Sequence, residues 1–184
     1  MLPELYQIHF QKHLKLSDYL FLEILINLLQ SIKQVNLEKL AASIPLPIKF
    51  ESRRKKVQRF LSLPEWDVKT IWLSLITEWI HKSINQQEVL HLAIDRTRWQ
   101  GINILVISLI YKRRAIPLYF KLLDKKGNSN LGEQTESLDK VLSKLSQYKV
   151  VVLGDREFCS VDDCLLAQGK ESIFLFAFKK ESLY

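Results

Sequence analysis

The spacing of apolar residues changes character near residue 87, and that change limits the chain to a helical half followed by a strand-rich half. In residues 17–33, Leu20, Phe21, Ile24, Leu25, Leu28, Leu29 and Ile32 recur at three- and four-residue steps, a wide stripe at helical period. Asn36 is placed to cap a short helix over residues 37–44, closed by Pro45 and Pro47. A further helix is expected over residues 50–61. Ser62-Leu63-Pro64-Glu65 then has the spacing of a capping box, opening a helix that buries Val68, Trp72, Leu75, Ile76 and Trp79. Beyond residue 87 the apolar runs are short, β-branched and aromatic. Residues 89–98, 102–112 and 115–123, separated by Gln100-Gly101 and Lys112-Arg113-Arg114, predict three strands in an antiparallel meander. A polar loop over 125–130 follows, then a helix over 133–147 and an apolar strand over 150–153. A helix over 161–168 and a strand over 173–178 complete the pattern. The order β-β-β-α-β-α-β predicts parallel pairing in a mixed, covered sheet. The expected class is α+β or α/β, with a helical domain over 1–86 and a β/α domain over 87–184, the boundary falling near 83–87.

Composition narrows the function. Of 184 residues, 27 are Lys or Arg and 20 are Asp or Glu, a net charge of +7. With a pI near 9.4, this points to a polyanionic partner, nucleic acid before membrane. The most apolar stretch, Leu14 to Leu29, is interrupted by Lys15, Asp18, Glu23 and Asn27, so it predicts no spanning helix. The N-terminal MLPELYQIHF lacks a basic start and an apolar signal core. Two cysteines, Cys159 and Cys164, make no disulfide framework, so a cytoplasmic, nucleoid-associated location is expected.

Charge is concentrated in one place. Lys49, Arg53, Arg54, Lys55, Lys56 and Arg59 stand against a single acid, Glu51, while Val57, Phe60 and Leu61 supply an apolar stripe to seat the helix. A helix held by one edge and basic elsewhere can lie along phosphates, and helices on either side allow a helix-turn-helix-like arrangement. The same charges also suit an ordinary solvated helix face.

Two aspartates follow apolar runs: Asp95 after Leu90-His91-Leu92-Ala93-Ile94, and Asp155 after Val150-Val151-Val152-Leu153-Gly154. If those strands are sheet neighbours, their ends bring the carboxylates together. Close carboxylates repel unless a divalent cation screens them, and oxygen ligands suit Mg²⁺ or Mn²⁺. Alternatively each Asp caps a turn or pairs with Arg96 or Arg156. Arg96, Arg98 and Arg156 flank the pair and either neutralise phosphates or bind the aspartates. Trp99 either stacks on DNA or covers the core. His9 and His13 are four residues apart but have no third ligand in reach, and the isolated His91 and the tryptophans 66, 72 and 79 read as structural.

The run Ala93-Ile94-Asp95-Arg96-Thr97-Arg98-Trp99 resembles the first-aspartate motif of insertion-sequence DDE transposases, the insertion-sequence-four family in particular. Ile102-Asn103-Ile104-Leu105, Ala115-Ile116-Pro117-Leu118, Gly127-Asn128-Ser129-Asn130 and Val152-Leu153-Gly154-Asp155-Arg156-Glu157-Phe158 are similar to its later blocks, in order. The resemblance spans about residues 90–178. It implies a ribonuclease H-like fold, with Asp95 and Asp155 as catalytic Mg²⁺ (or Mn²⁺) ligands. It also implies strand cleavage and transfer on DNA, both transposon ends and target. The basic helical half is similar to the family's end-binding region. The family's third carboxylate lies in a Tyr-x2-Arg-x3-Glu-x6-Lys motif, and no such spacing occurs here. Glu133 and Glu136 are remote substitutes, and Glu157 and Glu181 lie too close to strand ends. The expectation is therefore an N-terminal portion of a transposase, inactive alone. It would act as a homodimer, in mixed assembly with a full-length enzyme, or as a non-catalytic DNA-binding module or inhibitor. Exposed apolar surface is expected near 173–178.

Overall fold

The computed structural model describes residues 2–158 and 172–176, with two compact units, Met1–Asp67 and Val68–Tyr184. The expectations for Cys159, Cys164, Glu181, the 161–168 helix and the side chains of Arg156 and the 173–178 strand fall outside what is described.

The first unit is all helix: α1 (Glu4–His13), α2 (Leu16–Ile32), α3 (Leu37–Ser43) and α4 (Phe50–Leu61). In α2 the buried side is Tyr19, Phe21, Leu22 and Leu25, whereas Leu20 is exposed. The apolar stripe is wider than the short helices packed on it can cover. Lys33 ends α2 in the left-handed conformation, its N–H bonded to the Leu29 carbonyl at 2.8 Å. Asn36 caps α3 as expected, its Oδ1 accepting the Lys39 N–H at 3.0 Å. α3 packs on α4, which buries Val57 and Phe60. Phe60 meets Phe21 edge-on at 5.2 Å and Trp66 at 5.1 Å.

The capping box expected at Ser62 does not form. Ser62 instead terminates α4, its Oγ donating to the Gln58 carbonyl at 3.0 Å, and helix resumes only at Val68. There Val68–Leu73 forms π-helical turns that lead into α5 (Ser74–Ser83). α5 lays Ile76, Ile80 and the following Ile84 on the sheet, and Trp72 and Trp79 pack against the same core. The division between compact units falls at Asp67/Val68, and the apolar stripe of α5 is satisfied by strands of the second unit.

The second unit holds five strands: β1 (Val89–Trp99), β2 (Ile102–Tyr111), β3 (Arg114–Leu123), β4 (Lys149–Gly154) and β5 (Ser172–Phe176). Their order is β3-β2-β1-β4-β5; β1–β2 and β2–β3 are antiparallel, β1–β4 and β4–β5 parallel. Both hairpins turn through residues with positive φ, Gln100 (47°) and Gly101 (84°), then Lys112 (47°) and Arg113 (62°). Such turns match the right-handed strand twist. α6 (Leu131–Leu142) makes the crossover from β3 to β4. It begins two residues earlier than the sequence pattern suggests, because Asn130 and Glu133 form a reciprocal capping box, and it ends at Leu142 rather than 147.

One sheet face is covered among the described residues. Leu92, Ile94, Leu105, Ile107, Leu109 and Val152 bury with Leu138 and Val141 of α6, with Leu145 just after it, and with α5. On the other face of the meander, Trp99, Ile102, Phe120 and Leu122 are exposed. The expectation of a sheet covered on both sides thus fails at β1–β3 among the described residues.

Candidate functional site

The register of β1 and β4 builds the site. Their last paired residues are Ala93 and Leu153. Two residues beyond that last pair stand Asp95, inside β1 and paired with Val106 of β2, and Asp155, the first residue after β4. Strand alternation turns both to the less covered face. Both are exposed. Asp95 Oδ1 accepts its neighbour's Arg96 N–H at 2.7 Å, and Asp155 Oδ1 accepts the Glu157 N–H at 2.9 Å. The parallel pairing of β1 and β4 makes the two strands that carry these aspartates sheet neighbours.

Gly154 allows the close approach behind Asp155. A Cβ at that position would lie 3.1 Å from Ile94 Cγ2 and 3.1 Å from Phe158 Cβ, both on side chains packed in the core. A larger residue there would require Ile94 or Phe158 to give by a few tenths of an ångström.

The Arg96 guanidinium turns to other partners than the aspartates. Its Nε donates to Glu157 Oε1 at 2.8 Å and Oε2 at 3.0 Å, with side-chain exposures of 23% and 11% for the two partners. Its Nη1 donates to Asn103 Oδ1 at 3.3 Å and its Nη2 to Asn128 Oδ1 at 3.0 Å. Glu157 Oε1 also accepts the Ser129 N–H at 3.0 Å and the Ser129 hydroxyl at 2.8 Å. Burial pushes the Glu157 carboxyl up, but Arg96 and the two Ser129 donors outweigh it and hold the group below its ordinary value. Glu157 is thus committed to Arg96.

Asn103 is buried and fully engaged, its Nδ2 donating to the Gly127 carbonyl at 2.7 Å and the Lys125 carbonyl at 3.3 Å. Gln134, also buried, donates to the Ser129 hydroxyl at 2.8 Å. Sequence reasoning missed this network. Its available signal was Asn103, an amide inside an otherwise apolar strand, where an unpaired polar group would be costly.

The remote carboxylate substitutes are also occupied. Glu133 pairs with Lys125 at 2.7 Å as well as capping α6. Glu136 bonds Lys121 and Lys140, at 2.6 and 2.5 Å, and these hold its carboxyl down at about 2. Among the described residues, no group of three or more His, Cys, Asp or Glu could hold a metal ion. The donor set at the strand ends is two carboxylates. That set fits Mg²⁺ or Mn²⁺, because a small hard cation keeps several waters and takes only one or two carboxylates from a protein, the rest from phosphate.

In the helical unit the six cations divide. Arg53 donates to the Ile44 carbonyl at 3.0 Å, Arg54 pairs with Glu38 at 2.7 Å, and Lys56 lies over the Phe21 ring at 4.7 Å. Lys49, Lys55 and Arg59 are exposed. Arg98, at the end of β1, is exposed as well, and so is Trp99 beside it.

No protein-family model matches the sequence, and no curated protein does. Among solved structures, the catalytic domain of Mos1 mariner transposase is similar at 13% identity, over 60% of this chain and 58% of that one, with a TM-score of 0.34. A pre-cleavage Mos1 transpososome is similar at 9% identity over 82% of this chain, with a TM-score of 0.32. This chain spans 57% of the length of that transpososome chain. So loose a match decides neither the fold nor the chemistry of this chain. Among the described residues, no helix is long and apolar enough to cross a membrane.

Proposed function

We propose that this chain acts on DNA in the manner of a DDE transposase with a ribonuclease H-like domain. The helical unit engages the duplex, and Asp95 and Asp155 hold a divalent cation at a phosphodiester. One observation carries the reading: two exposed carboxylates each stand two residues beyond the last pair of two adjacent parallel strands. When bound, such a cation neutralises charge on the phosphate and favours deprotonation of water or a 3′-hydroxyl. The residues supply position. Asp95 and Asp155 present oxygen ligands from rigid strand ends, each carboxylate oriented by a backbone N–H. Lys49, Lys55 and Arg59 are the exposed cations of α4 free to meet phosphates. Arg53, Arg54 and Lys56 join them by exchanging their intramolecular partners. Arg98 and Arg156 serve the same purpose beside the aspartates. Arg96 contributes charge there while its guanidinium stays on Glu157.

A second reading is favoured by the lack of a third carboxylate beside the pair among the described residues. In it, the chain is a DNA-binding module, inactive alone and able to join a full-length transposase in mixed assembly.

The deciding experiment incubates supercoiled DNA with Mg²⁺ or Mn²⁺ and the wild-type, Asp95→Ala or Asp155→Ala protein, and measures DNA retention in parallel. Metal-dependent nicking lost in both variants supports catalysis. Retention without nicking supports the binding module. Neither retention nor nicking overturns both readings. A wild-type retention that does not weaken steeply with salt removes phosphate contact as the mode of binding.

A further inference from the structure

The backbone ladder between β1 and β4 stops at Ala93 and Leu153, two residues short of the aspartates on both strands. Beyond that point, no strand pairing fixes the distance between the two carboxylates. The β1–β2 ladder holds the backbone of Asp95, and each carboxylate accepts an N–H one or two residues away. Close carboxylates repel, so a tie between the two segments has work to do.

What links the two segments is a residue that closely follows each aspartate. Arg96 follows Asp95, Glu157 lies just past Asp155, and the two meet through both carboxylate oxygens at 2.8 and 3.0 Å. Neither partner is left to swing. Ser129 holds Glu157 through its N–H and its hydroxyl, and Gln134 holds the Ser129 hydroxyl in turn. Asn103 and Asn128 hold the remaining guanidinium nitrogens, and Asn103 anchors the loop through the carbonyls of Lys125 and Gly127. The end of β1, the start of β2, the loop before α6, the first turns of α6 and the end of β4 are thereby tied at one ion pair. The carboxylate oxygens of Glu157, the Arg96 guanidinium and the Asn103 amide are all engaged, and a connected polar network of this kind stiffens its surroundings.

We infer that the Arg96–Glu157 pair, seated on Ser129, is the positioning clamp that sets the separation of Asp95 and Asp155 and so controls their affinity for a divalent cation. The inference rests on the proposed cation-holding role of the aspartates. Arg96 and Glu157 touch no ligand of their own. They act through the strand ends, as partners of metal ligands commonly do.

Charge and geometry make opposite predictions here, which gives a clean test. Arg96→Gln removes a positive charge beside two carboxylates. If only electrostatics mattered, cation binding would tighten. If Arg96 is a clamp, binding weakens, by about 10–100-fold on the usual cost of losing a ligand-orienting partner. Mn²⁺ binding to the full chain is measured by titration calorimetry or by loss of the free-ion paramagnetic resonance signal. Circular dichroism at the same temperature establishes that each variant is folded. Ser129→Ala, which changes no charge, is expected to weaken Mn²⁺ binding less but in the same direction. Arg96→Lys keeps the charge and loses the fork, and it serves if Arg96→Gln does not fold.

Weakened binding in folded Arg96→Gln or Arg96→Lys, together with Ser129→Ala, supports the clamp. Wild-type or tighter binding in these variants, with binding lost in Asp95→Asn, overturns the clamp and leaves the cation site standing. Failure of the wild-type chain to bind Mn²⁺ overturns the cation site and the clamp with it.

Discussion

Replacing Gly154 by alanine probes how tightly the end of β4 is held against β1. The new methyl would lie 3.1 Å from Ile94 Cγ2, 3.1 Å from Phe158 Cβ and 3.3 Å from Phe158 Cδ2, all inside ordinary van der Waals separation. Ile94 is 3% exposed and Phe158 1%, so neither neighbour has open space to move into. One added carbon in a filled core costs ~1–3 kcal/mol. Gly154 does not use positive φ, so alanine also removes unfolded-state freedom worth ~0.4–1 kcal/mol in the opposite sense. The net expectation is a destabilisation of about 1 kcal/mol, or ~3 °C in Tm for a chain of this size. Gly132 is the internal control. A methyl there meets only Asn130 Oδ1 at 3.5 Å, at the start of α6, so Gly132→Ala gains helix propensity and raises stability by ~0.5–1 kcal/mol. Urea and thermal unfolding followed by circular dichroism measure both. Equal stability for wild type and Gly154→Ala, or a loss in Gly132→Ala as large as in Gly154→Ala, would refute the packing argument. An unchanged Tm with weakened Mn²⁺ binding would mean that the strand end yields instead of the core, displacing Asp155.

Two further perturbations test separate parts of the chain. Arg113 occupies the left-handed region at φ 62° in the β2–β3 turn, where a non-glycine residue is strained by ~1–2 kcal/mol, so Arg113→Gly is expected to raise the urea midpoint; a lowered midpoint would show that the arginine makes up for its strain in contacts. Glu136 is held at about 2 by its hydrogen bonds to Lys121 and Lys140, against an ordinary 4.5. A depressed carboxyl contributes stability that is present above the ordinary value and is lost as pH falls toward the folded one. The Tm advantage of wild type over Glu136→Gln should therefore shrink between pH 4.5 and about 2, modestly because the side chain is half exposed; a constant difference across that window would contradict the linkage.

The elements of the sheet-containing unit were legible because their signals are local. Alternating and continuous apolar runs mark β1 to β4, and Gln100-Gly101 marks a hairpin. Asn36 and Asn130 act as helix caps through bonds three residues long, and the sequence pattern located Asn36 but started α6 too late at Glu133. Local signals also misled. Ser62 has the spacing of a capping box, yet a serine at that place can equally end the preceding helix, and Trp66 bonded to the Phe60 carbonyl at 2.6 Å holds the chain there.

The sequence by itself determined that Asp95 and Asp155 follow apolar runs and that residues 49–59 carry a cluster of positive charge. Tertiary structure alone decided what those charges do. Whether Arg96 meets an aspartate, a phosphate or Glu157 depends on a partner 61 residues away, and nothing in the spacing of one strand reports the geometry of another. Arg54 is likewise claimed by Glu38 of the neighbouring helix, and Lys56 by the Phe21 ring. Period and propensity are properties of short stretches. The pairing of charges belongs to the packing, because a charge is satisfied by whichever group the fold brings within hydrogen-bond reach.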